Sequence, residues 1–186
     1  MGCWGITSFK SDKGLDTIGL LREKLPKDGK LELGKLIEEL YKDPWYEPSD
    51  VNEGVSHTSP MALAEIMVKF LDGEAGSMDY DEEGNADDNK FKSINSFLAS
   101  KESINWLRGY ISDTLHHAKE NETADAVCGW KWGGWFEEKN WIGWQRHMET
   151  LVSRLDELLI LPGDNVELVS IETQENSLIM GQAIEG

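Results

Sequence analysis

The chain has 186 residues, with 18 Lys and Arg against 35 Asp and Glu and a formal net charge of -17 at pH 7. Such a surface repels phosphate backbones and anionic lipid, so nucleic-acid binding and membrane docking are disfavoured and a basic protein partner is the natural expectation. There is no apolar run of about 18 residues and no Lys/Arg-flanked leader, and Cys3 and Cys128 form no Cys-x-x-Cys pair, which predicts a cytoplasmic protein without a disulfide framework.

In chain order, Leu15, Ile18, Leu21 and Leu25 recur at helical spacing before Pro26. After the Asp28-Gly29 turn, Leu33, Leu36, Ile37 and Leu40 predict a second helix over 31–41. Residues 44–60 carry Pro44, Pro48 and Pro60 and read as an irregular connection, with Trp45 and Tyr46 expected to anchor it on the core. Ser59 followed by Pro60 reads as the cap and first residue of a helix ending at Leu71. That helix is apolar on most sides and leaves only Glu65 and Lys69 to face water. Residues 72–88 hold eight acidic side chains and no basic one, which predicts an exposed, mobile loop.

Phe91, Ile94, Phe97 and Leu98 resume the apolar pattern. Ile104, Leu107, Ile111, Leu115 and Ala118 then mark a long amphipathic helix, whose apolar face Trp106 and Tyr110 widen. Cys128 to Phe136 alternates Gly129, Gly133 and Gly134 with Trp130, Trp132 and Trp135 and fits no regular element. From Trp141 a stripe of Trp144, Met148, Leu151, Val152, Leu155, Leu158 and Leu159 predicts a last helix closing at Leu161-Pro162-Gly163. Residues 166–172 have strand composition and turn over 174–177 toward a second strand at 178–184. The expected fold is mainly α: a single domain over 1–186, a bundle of about five helices, with a short C-terminal β-hairpin in an extension spanning 163–186.

The opening Met1-Gly2-x-Trp4-Gly5, then Phe9, Ser11-Asp12 and Leu15-Asp16, resembles the start of a bacterial family, domain of unknown function 4259. Ala62-Leu63-Ala64-Glu65 followed by Phe70-Leu71-x-Gly73 is similar to that family's alanine-rich helix, and Trp144-Gln145 to Leu151, Arg154-Leu155 and Leu158 to its closing helix. Cys3 and Ser11 depart from the pattern, and the Trp/Gly stretch and the residues after 163 look like additions. The resemblance implies a small, mostly helical cytoplasmic protein and supplies no reaction.

Trp4, Trp130, Trp132, Trp135 and Trp141 are the candidate partner-binding or ligand-binding residues, because indoles bury large areas and stack on rings or cations. A free amine at Gly2 would make an N-terminal nucleophile, though a terminus pinned by Trp4 and Phe9 is the simpler reading. Asp79, Asp81, Glu83 and Asp87 fall at calcium-loop spacing around Gly84, but Lys90 stands where a bidentate Glu would close the cage. No cofactor is therefore expected beyond weak Ca2+ attraction. Asp113 with His117 and His116 with Glu120 are four apart on one predicted helix and read as surface pairs, and Cys128 with His147 lacks a nucleophile signature.

Two functions follow. The first is a non-catalytic intracellular interaction protein that masks a basic protein partner, immunity-type, with homo-oligomerisation open. The alternative is a small hydrolase or small-molecule-binding protein with a Trp-lined pocket, using residues such as Glu65, His116 and Cys128 that meet only in three dimensions. Titratable side chains converging in a cleft would favour the alternative.

Overall fold

A computed structural model describes residues 3–51, 58–79, 90–120 and 138–169. Their architecture is mainly α: five helices around a three-stranded sheet. The helices are α1 (Asp12–Glu23), α2 (Leu33–Leu40), α3 (Thr58–Leu71), α4 (Lys101–Glu120) and α5 (Glu138–Leu159). The strands are β1 (Lys30–Glu32), β2 (Ser96–Ser100) and β3 (Asn165–Leu168). Among the described residues no helix is long and apolar enough to cross a membrane.

α1 starts where Ser11 caps it, its Oγ accepting from the Gly14 amide at 3.1 Å, so one orphan donor of the first turn is satisfied locally. Gly14 is needed there, because a Cβ at that position would lie 1.9 Å from the Ser8 carbonyl oxygen. The predicted second helix is shortened from its front. Lys30–Glu32 is drawn into the sheet instead, pairing parallel to β2 with Leu31 opposite Phe97. Gly29, at φ 72°, accepts from both the Asn95 and Ser96 amides and so sets that register.

β2 is central. Phe97 and Ala99 face the core while Leu98 faces out, as period-two alternation requires. β3 pairs antiparallel on its other side, Phe97 with Leu168 and Ser100 with Asn165. The strand predicted over 166–172 therefore exists in its first part but pairs with β2, and its expected hairpin partner at 178–184 lies outside the described residues.

α4 and α5 form the most extensive helix pairing, with Leu107, Ile111, Trp144, Met148, Leu151 and Leu155 buried. Beyond α5, the chain is tied off by Lys101. Its Nζ donates to the carbonyls of Leu158, Leu159 and Leu161 at 2.7, 2.7 and 2.6 Å, which meets orphan acceptors of the last turn with a positive charge at the negative end of the helix dipole.

Other sequence expectations are corrected. Helix α3 begins at Thr58, so Ser59 is not its cap but a buried first-turn residue whose Oγ accepts from Thr17 Oγ1 at 3.3 Å. Tyr46 packs partly on the core, whereas Trp45 does not, remaining 46% exposed. Of the acidic stretch 72–88, residues 80–88 lie outside the described residues. Its first part is anchored: Ala75–Met78 is a 3-10 turn that buries Met78. Glu65 does not face water; it is 3% exposed.

Candidate functional site

The buried Glu65 carboxylate organises a polar cluster with Ser8 and His147. It lies mid-way along α3, the helix buried almost throughout, so its charge needs partners supplied by other elements. The first partner is the N-terminal loop. The Trp4 amide donates to the Lys10 carbonyl at 2.9 Å, and Cys3 forms an isolated antiparallel bridge with Ser11, folding residues 3–11 back on themselves. At the apex of that loop the Ser8 amide donates to Glu65 Oε1 and Oε2 at 2.9 and 3.1 Å, and the Ser8 hydroxyl donates to Oε2.

The second partner comes from α5. His147 Nε2 lies 2.6 Å from Glu65 Oε1, and the histidine side chain keeps 20% of its surface exposed while the carboxylate end is sealed. With the carboxylate as acceptor, Nε2 is the donor, so Glu65 fixes both the ring plane and the position of its hydrogen. Three segments, the N-terminal loop, α3 and α5, thus meet at one carboxylate. Charge-assisted bonds of this kind are stronger than neutral ones, and burial magnifies them. Asn140, seven residues before His147 and so on the same face of α5, is buried, and its Nδ2 has no hydrogen-bond partner among the described residues.

Beside the cluster lies an apolar surface. Trp4 is 52% exposed and Ile142 54%, and Ile6 packs so closely on α5 that a Cβ on Gly143 would sit 2.9 Å from its Cγ2. Trp141 faces the opposite way: it is 5% exposed and stacked on Trp144, ring centroids 5.3 Å apart at 14°, so it acts here as a core residue rather than a presented one. Trp130, Trp132, Trp135 and Cys128 lie outside the described residues, and with Cys128 the paper pairing to His147.

The calcium-loop reading keeps one described member. Asp79 accepts from the Phe91 amide at 2.8 Å through one oxygen and from the Lys92 amide at 3.0 Å through the other, capping the 3-10 turn Phe91–Ser93. Asp81, Glu83 and Asp87 lie outside the described residues, and no group of three or more metal-ligating side chains occurs among those described. His116 pairs with Glu120 at 3.2 Å on the exposed face of α4, as a surface pair would, and it does not join Glu65.

Displaced pKa values are found at the periphery. Burial pushes the Lys13 ammonium below its usual value. Burial, then the charges of Asp16, Asp43 and Glu23, raises the Tyr46 phenol. The hydrogen bond that Arg108 donates to Asp156, then the charge of that carboxylate, raises the Arg108 guanidinium.

His147 enters the sequence reading only beside Cys128, which lies outside the described residues, and its contact with Glu65 is not foreseen there; Ser8 is a residue that reading does not reach. The signal that could find them is the isolation of Glu65 in an otherwise apolar helix, since a lone carboxylate on such a helix has to be met by donors from elsewhere. No family model, curated protein or solved structure matches this chain.

Proposed function

We propose that the protein is a non-catalytic, cytoplasmic binding protein that masks a basic protein partner in the manner of an immunity protein, with Trp4, Ile6 and Ile142 at the centre of its contact surface. The observation that carries this reading is that the N-terminal loop and α5, which meet where Ile6 packs on Gly143, both expose large apolar side chains: Trp4 and Ile6 on the loop and Ile142 on the helix. Exposed indole and aliphatic side chains on two elements in contact are the usual make-up of an interface anchor.

Charge supports the same choice of partner. Lys35, Lys42, Lys69, Arg108, Lys119 and Arg154 each lie on a carboxylate of this chain, and Lys101 on backbone carbonyls, so the surplus left to meet a partner is acidic. Such a field steers a cationic protein into contact and weakens with salt. The likeness of the opening residues to a bacterial family without an assigned reaction is part of this reading, since it asks for no catalytic constellation.

Immobilised wild-type chain and the variants Ile142→Asp and Trp4→Ala test it on extract washed at low and then moderate salt. A basic protein held by the wild type, released as salt rises and lost from both variants is the expected result. Retention that ignores Ile142 and Trp4, or no basic protein retained, overturns it.

A further inference from the structure

The geometry points to His147 as a nucleophilic imidazole, a site able to accept an acyl group from an activated ester, independent of the binding surface described above. Three observations combine. Nε2 is committed to Glu65 at 2.6 Å, so the second ring nitrogen, Nδ1, carries the lone pair when the ring is neutral. That nitrogen has no partner among the described residues, while the side chain retains 20% exposure. The carboxylate behind the ring is itself immobilised by the Ser8 amide and hydroxyl, so the imidazole does not have to be ordered when an electrophile arrives.

A carboxylate on one imidazole nitrogen strengthens the other as base and nucleophile, because positive charge developing on the ring is met by a fixed negative one. The step balances with the groups present. The Nδ1 lone pair adds to the acyl carbon, the bond from that carbon to the leaving oxygen breaks, and the alcohol departs as its anion. The Nε2 hydrogen passes to Glu65 as the ring becomes a neutral N-acyl imidazole.

His116 provides the internal control. Its side chain is 73% exposed and its Nε2 lies 3.2 Å from the exposed Glu120, so accessibility alone would make it the faster histidine. Intact wild-type protein is treated with diethyl pyrocarbonate, and the rate at each histidine is read by peptide mass mapping. His147 is expected to react roughly tenfold faster than His116, less than the full benefit of positioned acid–base catalysis because the reagent has no binding groups here. With p-nitrophenyl acetate, the acetyl group should be found on His147.

Glu65→Gln should bring His147 down to the rate of His116 or below. Ser8→Ala, which removes one donor to the carboxylate and leaves the ring contact, should lower thermal stability without lowering that reactivity. A His147 no faster than His116 overturns the inference even if Glu65→Gln fails to fold. Equal losses in the two variants overturn it as well, since they would mark the contact as structural only.

Discussion

α5 is fastened at two places by opposite charges, and the contrast between them shows what a buried charge requires. Midway along the helix, the Glu65 carboxylate collects donors from Ser8 and His147; at its end, the Lys101 ammonium donates to three carbonyls. Both satisfy three or more hydrogen bonds with one side chain. They differ in surroundings: Glu65 is sealed between two helices and a loop, whereas Lys101 works at the rim, where water can substitute. The loss of a partner should therefore cost much more at the first site than at the second.

The sharpest way to break this comparison is Glu65→Leu, which strands the Ser8 amide and the His147 Nε2 hydrogen. It should destabilise the fold by about 3 to 5 kcal/mol in denaturant unfolding, since several buried donors lose their acceptor at about 1 to 3 kcal/mol each. Lys101→Met keeps the stem and removes the charge, and it should cost about 1 to 2 kcal/mol as water replaces the ammonium at the helix end. Equal losses in the two variants would mean that burial is not what separates the sites.

Ser11→Ala, which removes a neutral helix cap and the hydroxyl's bond to the Ser8 carbonyl, should cost about 1 kcal/mol, read as a lower urea midpoint at constant slope. The Arg108–Asp156 pair, at 2.9 Å with both side chains well exposed, should contribute less than about 1 kcal/mol, and Arg108→Gln should become indistinguishable from wild type in high salt. Lys13 sharpens the picture from another side. Burial lowers its pKa, so between that lowered value and 10.5 the unfolded chain holds a proton that the native state has released. Stability contributed by this group therefore rises with pH across that alkaline window, and Lys13→Met should flatten the difference in Tm there.

The last helix is legible in the sequence because Trp144, Met148, Leu151 and Leu155 repeat at helical spacing, and all four are buried. The amphipathic run from Ile104 to Ala118 is legible for the same reason. What periodicity does not carry is pairing. β1 is three residues long, too short for an alternation to register, and Leu31 also suits the helical spacing that follows. Glu65 escapes amphipathic reasoning, which sends every charge outward by default, because the donors that turn it inward lie 57 and 82 positions away. Lys101 escapes on the same ground, since its acceptors are backbone atoms and carry no residue type to notice. Trp4 stands out by its size and its glycine neighbours, and it is exposed; Trp141 has similar credentials, and the helix turns it inward.

The long spans of these contacts bear on how the chain acquires its fold. During synthesis α3 and α4 emerge before α5, so Glu65 waits for His147 and Lys101 waits for Leu158. Loop closure over such distances carries its entropic cost before the contacts return it. A nascent chain released before α5 would carry a carboxylate on an apolar helix with only the N-terminal loop to satisfy it. Commitment to the native state thus falls late, when one helix arrives and is secured at its middle and its end by residues made long before it.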